Sequence, residues 1–204
     1  MRTMKVLIAG WLAGGAIIVL MSLAPKTAVA AKPGDGYVPA ERRVSSPPVA
    51  AANVGGLSGR RSTGPIVPVA GIRPADLHDN FTQPRGNGRL HDALDIMAPR
   101  GTPVVAAVDG TIRKLFNSRA GGLTIYEFDQ AEEKVYYYAH LDRYADGVAE
   151  GLVVAQGTVI GYVGTTGNAP PGAPHLHFAV EVLPPTKEWW KGTPVNPYVL
   201  LTSR

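Results

Sequence analysis

The second half of this 204-residue chain predicts an all-β fold, a compact antiparallel β-sheet domain. Three observations carry the prediction. From Pro74 onward, short apolar runs alternate with Gly, Pro and Asp at the spacing of strands and turns. No long segment with a 3.6-residue hydrophobic period interrupts them. There is also no Gly-rich phosphate loop opening a helix, and no repeat with a period of about 20–50 residues.

The chain opens with Arg2 and Lys5, then runs from Val6 to Ala24 without a charge, and continues through Pro25 and Lys26 to Ala28-Val29-Ala30. A charged start, an apolar stretch and an Ala-x-Ala site make residues 1–30 a signal peptide cleaved after Ala30. The apolar stretch exceeds the usual length of about 7–15 residues and approaches the roughly 20 that span a bilayer, so an uncleaved membrane anchor is the alternative. Either way the following domain is exported to the periplasm or cell envelope, with residues 6–24 available as a tether to the inner membrane.

Residues 31–73 are rich in Pro, Gly, Ser, Ala and Arg and show neither period 2 nor period 3.6. A segment that buries so little apolar surface cannot offset its ordering entropy, which predicts a disordered linker. Residues 74–204 form the domain, with strand-like runs at 103–108, 111–116, 123–128, 135–140, 152–154, 159–163 and 175–183. Asp109-Gly110, between the first two, predicts a tight hairpin turn.

The net charge of +4 is unevenly placed. Up to Arg73 there are nine Lys and Arg against two acids, and beyond it eleven against fourteen. A mildly acidic domain is poor footing for phosphate-backbone binding, so no nucleic-acid partner is expected. The absence of cysteine excludes disulfides, thiolate metal sites and thiol nucleophiles. Any metal must be held by His, Asp or Glu.

The chemistry concentrates in Pro174-His175-Leu176-His177-Phe178. On a strand, His175 and His177 face one side together, whereas on a helix they would diverge by about 200°. Two converging imidazoles suit either a metal such as zinc or a hydrogen-bonded pair at a sheet edge. Upstream, His91 and Asp95 lie four residues apart in a segment of extended character, where they would share a face and Asp92 would point away. With one histidine of the later pair they make a His, Asp, His set with an open fourth position, the arrangement of catalytic zinc. Tyr136, Tyr138 and His140 would likewise share a strand face.

Together these stretches resemble the signatures of the M23 zinc metallopeptidases, the lysostaphin-like or LytM-type peptidoglycan endopeptidases. The likeness runs through His91-x-x-x-Asp95, Ala98-Pro99-x-Gly101-Thr102-Pro103, Tyr138-Ala139-His140-Leu141, Gly161-Tyr162-Val163-Gly164-x-Thr166-Gly167 and His175-Leu176-His177. It implies one Zn2+ per chain held by His91, Asp95 and His177 in an open groove, with His140 and His175 assisting catalysis. It also implies stem or cross-bridge peptides of peptidoglycan as substrate. Some relatives of this kind have lost ligands and act as regulators or wall-binding modules; all five signature residues are present here. Ala93 stands where many members have glycine, which implies a slightly altered turn with the metal retained. His78 matches no motif and is expected at the surface.

Overall fold

The computed structural model describes residues 64–203. The leader or anchor of residues 1–30, and the linker up to residue 63, lie outside them. Eleven strands follow in order: β1 (Pro84–Arg85), β2 (Arg89–Leu90), β3 (Leu94–Met97), β4 (Pro103–Val105), β5 (Gly110–Ser118), β6 (Gly122–Asp129), β7 (Lys134–Tyr144), β8 (Val153–Val154), β9 (Val159–Val163), β10 (His175–Val182) and β11 (Thr193–Val195). One short helix, α1 (Pro197–Thr202), closes the domain. All pairings are antiparallel. The expected all-β class therefore holds. Among the described residues, no helix is long and apolar enough to cross a membrane.

β1 and β2 pair as a separate hairpin, and the other nine strands form one sheet with the path β11-β10-β7-β6-β5-β8. β10 is its hub. It pairs with β7 along one edge, while β3 and β11 share the other, β3 beside its first half and β11 beside its second. β7 outruns β10 and its far end pairs with β9, which in turn carries β4.

Period-2 alternation in β7 and β10 sorts side chains onto two faces. Tyr136, Tyr138, Leu176, Phe178 and Val180 join the larger core with Ile112, Ile125 and Leu141. Tyr137, Ala139 and Ala179 face the other way, into a smaller cluster with Phe116, Tyr126 and Phe128 that Trp189 covers. Each fully buried large apolar side chain contributes about 1.5–3 kcal/mol. Such a core, on both sides of one sheet, holds β3, β7 and β10 in fixed register.

Two boundaries differ from expectation. Packing begins before Pro74: Val69 is buried in the larger core and bridges Val104, and Ile66 N donates to Ala107 O at 2.9 Å. Residues 64–73 thus belong with the sheet, where Val67, Val69 and Ile72 pack in and against the larger core. Asp109-Gly110 is not a hairpin turn, since β4 pairs with β9 while β5 pairs with β6 and β8. Asp109 Oδ1 instead accepts a hydrogen bond from Gln156 N at 2.8 Å. A Cβ at Gly110 would collide with the Phe128 carbonyl, so glycine permits a close strand approach there rather than a reversal.

Candidate metal centre

His91, Asp95 and His177 meet at one point. His177 stands directly opposite Asp95 in the β3–β10 ladder, which brings together residues 82 positions apart. His91 arrives differently from the prediction of a continuous extended segment. Asp92 has φ of 56°, in the left-handed region, and breaks the extension between His91 and β3. The break aims His91 at Asp95 all the same, with Nε2 3.0 Å from Asp95 Oδ1. The left-handed position is Asp92 rather than Ala93. Ala93 is fully buried against the smaller cluster, where its methyl packs without strain.

His91 Nε2, His177 Nδ1 and Asp95 Oδ1 form a nearly equilateral triangle, with edges of 3.1, 3.0 and 3.0 Å. The Nδ1–H of His91 donates to Asn80 O at 3.1 Å, which leaves its Nε2 as a lone pair turned toward the triangle. With neutral imidazoles, three adjacent acceptors share at most one proton. A cation satisfies all three. Ligands about 2.0–2.1 Å from a tetrahedral zinc stand about 3.3–3.4 Å apart, within a few tenths of an ångström of these edges. The three residues fit a metal ion, and they form the one such group among the described residues.

Charge reinforces the fit. Burial would raise the Asp95 carboxyl, but hydrogen bonds and charge from His177 and His91 outweigh it and hold the group well below the usual carboxylate range. Burial pushes the His177 imidazole down, against the pull of Asp95. An ionised carboxylate is the ligand state that metal binding requires.

His140 and His175 border the triangle. The His175 ring lies on the same side of β10 as His177, its Nε2 3.7 Å from Asp95 Oδ1 and its Nδ1–H donating to Ala173 O at 2.8 Å. The His140 ring centroid is 5.0 Å from that of His175 and 5.6 Å from that of His177. Its Nδ1–H donates to Thr166 O at 2.8 Å. Both rings therefore keep an Nε2 lone pair. Burial, followed by the charge of neighbouring His177, brings the His140 imidazole down to about 4.

His140 does not share a face with Tyr136 and Tyr138, as strict alternation predicted. Opposite the two-residue step from Leu123 to Ile125, β7 takes three residues from Tyr138 to Leu141, a β-bulge, and His140 sits there with φ of 60°. Tyr138 stays in the core, where its O–H donates to Glu127 and it accepts from Ala107 N at 2.9 Å. The bulge turns His140 to the opposite side, toward His177. Gly121 O accepts from His140 N at 2.8 Å, and Thr166 Oγ1 bridges Leu141 O and Leu123 N at 2.7 and 3.0 Å, holding the bulge from both sides.

Sequence reasoning did not single out Asn80 or Arg85, and it gave Thr166, part of the family likeness, no role of its own. Asn80 braces two ligands: its carbonyl takes the His91 proton and its Oδ1 accepts from Asp95 N at 3.2 Å. Arg85 Nη2 donates to Asp95 Oδ2 at 2.7 Å. An Asp-Asn pair a few residues before a ligand segment is a local-turn signal, and Asp79 Oδ1 does accept from Phe81 N at 3.0 Å. No comparable local signal marks Arg85. His78 is exposed, away from the cluster.

An antiparallel sheet that brings two imidazoles and a carboxylate to one point, with two further imidazoles alongside, forms a group that could hold a metal ion. Residues 89–197, just over half of the chain, match the model of Peptidase family M23, and the chain belongs to that family. It is similar to the L-Ala-D-Glu endopeptidase of Bacillus subtilis (strain 168), 37% identical over 100 residues, covering 47% of this chain and 30% of that protein. It is also similar to the DD-carboxypeptidase/endopeptidase Mpg of Neisseria meningitidis serogroup B, 40% identical over 110 residues, covering 53% of this chain and 22% of that one. The chain thus spans less than a third of the length of either relative. Among solved structures, Helicobacter pylori Csd3 matches with a TM-score of 0.50 at 25% identity, over 67% of this chain and 34% of that chain.

Proposed function

We propose that this protein is an exported zinc metalloendopeptidase that hydrolyses stem or cross-bridge peptides of bacterial peptidoglycan, with one Zn2+ per chain. The observation that carries the reading is the convergence of His91, Asp95 and His177 on a triangle of about 3 Å edges, with His140 and His175 beside it. His91, Asp95 and His177 are the proposed ligands. The substrate class rests on the two similar endopeptidases, and export rests on the leader read in residues 1–30.

Bound zinc supplies a Lewis acid that polarises the scissile carbonyl and lowers the pKa of water to about 7. The chain's own residues do the rest. His140 and His175 each donate Nδ1–H to a backbone carbonyl, so each is held in the tautomer whose Nε2 can accept a proton. Low basicity keeps His140 neutral at pH 7, able to receive a proton from the attacking water and pass it to the leaving amine. A positioned group of this kind contributes typically about 10²–10⁴-fold. His175, the nearer of the two to Asp95, flanks the site with its ring fixed by the Ala173 carbonyl and positions the substrate there. Met97, opposite His175 in the ladder and 58% exposed, offers apolar contact to an extended peptide along the sheet.

The test is digestion of purified peptidoglycan sacculi by the full chain, with zinc and with excess chelator, and identification of the fragments by mass. Soluble fragments with new peptide termini are expected only without chelator, restored by added Zn2+. Intact sacculi after incubation with the zinc-loaded protein would overturn the reading and favour a wall-binding or regulatory module.

A further inference from the structure

The separate β1–β2 hairpin reaches the metal site through one side chain. Pro84-Arg85 and Arg89-Leu90 pair across a Gly86-Asn87-Gly88 tip, and Gly88 takes φ of 68°. From this hairpin Arg85 Nη2 donates to Asp95 Oδ2 at 2.7 Å, while Asp95 Oδ1 faces His91 Nε2 and His177 Nδ1, each at 3.0 Å. The two oxygens of one carboxylate thus have separate duties. Oδ1 belongs to the triangle and Oδ2 to the guanidinium.

A carboxylate with both oxygens free can bind an ion through one or through both. Hard cations such as Ca2+ and Mn2+ take more oxygen ligands, and Ca2+ often binds a carboxylate through both oxygens, whereas tetrahedral zinc needs only one per group. A partner on the second oxygen removes the two-oxygen mode and fixes the carboxylate plane. Outer contacts of this kind are typically worth about 10–100-fold in metal affinity. Resting on the metal reading above, we propose that Arg85 is a positioning residue that holds Asp95 as a one-oxygen ligand, keeping the site four-coordinate and selective for zinc over harder, higher-coordinate divalent ions.

A second effect opposes the first. A guanidinium so close to the site repels any dication, and removing it tightens all divalent ions together. The selectivity ratio separates the two. Loss of charge alone leaves the ratio of Zn2+ to Mn2+ affinity unchanged, whereas loss of positioning lowers it.

The experiment compares the full chain with Arg85→Ala and Arg85→Lys. The readouts are the Zn2+/Mn2+ affinity ratio by chelator competition and the visible absorption of the Co2+-substituted proteins, whose intensity falls as coordination rises above four. Arg85→Ala is expected to lower the ratio about tenfold and weaken the Co2+ bands. Arg85→Lys, which keeps a single donor, is expected to recover part of both. The Arg85 side chain is 38% exposed in a two-residue strand, so both variants fold, which far-ultraviolet circular dichroism checks. An Arg85→Ala protein with the parent's ratio and spectrum overturns the proposal and leaves the metal site standing. A parent chain that takes up no Co2+ or Zn2+ overturns the metal reading, and the proposal with it.

Discussion

Glu127 ties the stability of the fold to pH. Its carboxyl is fully buried on the core side of β6, where the Tyr138 O–H donates to Oε2 and Oε1 has no hydrogen-bond partner. Burial pushes it from 4.5 up to about 8; the Tyr138 and Ala107 hydrogen bonds oppose the rise, and the charges of Asp109 and Asp129 add to it. The folded protein therefore keeps this proton at neutral pH while the unfolded chain loses it. A group raised in this way contributes stability that is fully present below pH 4.5 and lost progressively as pH rises to about 8. At about 1.4 kcal/mol per pH unit, that window bounds the loss at about 5 kcal/mol. Residual structure in the unfolded chain and relaxation around the carboxyl reduce it. Glu127→Gln removes the titration and keeps a carbonyl to accept from Tyr138. Urea unfolding of both proteins in chelator, at pH 5 and pH 8.5, gives the two slopes. The parent is expected to lose at least about 2 kcal/mol more than the variant across that range. Parallel stability curves would refute the reasoning and show that Glu127 ionises in the fold. Glu181, buried and raised to about 7 by burial and then by the charge of Asp92, acts in the same direction and is present in both proteins.

His177→Ala leaves two protein ligands, so zinc measured by atomic absorption is expected well below one per chain, whereas His140→Ala is expected to keep near one zinc while losing about 10²–10⁴-fold in rate. Normal zinc in the first or strong loss in the second contradicts the assignment. Chelation is expected to lower the melting temperature without unfolding the domain at 25 °C, because the two apolar clusters do not depend on the ion; complete unfolding would make the metal structural. At His140 the φ of 60° costs a side chain about 1–2 kcal/mol, so His140→Gly is expected to be more stable than His140→Ala by roughly 1 kcal/mol in urea unfolding, although it removes one carbon more. The reverse order would show that the backbone there is unstrained.

The parts legible in the sequence were those that depend on near neighbours. Alternation within 175–183 announced a strand with His175 and His177 on one face, because the period of a strand is a local property. The opposition of His177 and Asp95 is not local. It depends on β3 and β10 pairing in one register across 82 residues, and register is set by which faces bury apolar side chains, here Leu94 and Ile96 with Leu176 and Phe178. Ligand chemistry grouped His91 and Asp95 with one histidine of the later pair, and only the family resemblance chose His177. The same argument explains the failure at His140. Period 2 holds until a bulge intervenes, and a non-glycine residue in the left-handed region has no reliable signature of its own. What made the bulge possible lies on other segments: Gly121 in the turn before β6, Gly122 at the start of β6, and Gly167 on the loop beyond β9. A Cβ at Gly167 would fall on the backbone nitrogen of Gly122, so the two loops close on each other only as glycines, and that closure brings Thr166 to Leu141 and to His140. The proposed catalytic imidazole is thus aimed by residues chosen for lacking a side chain. A pattern drawn from functional groups assigns such positions no role, which is why the ligand set was readable in advance, whereas Thr166 and Gly167 entered only as part of the family likeness and not as its supports.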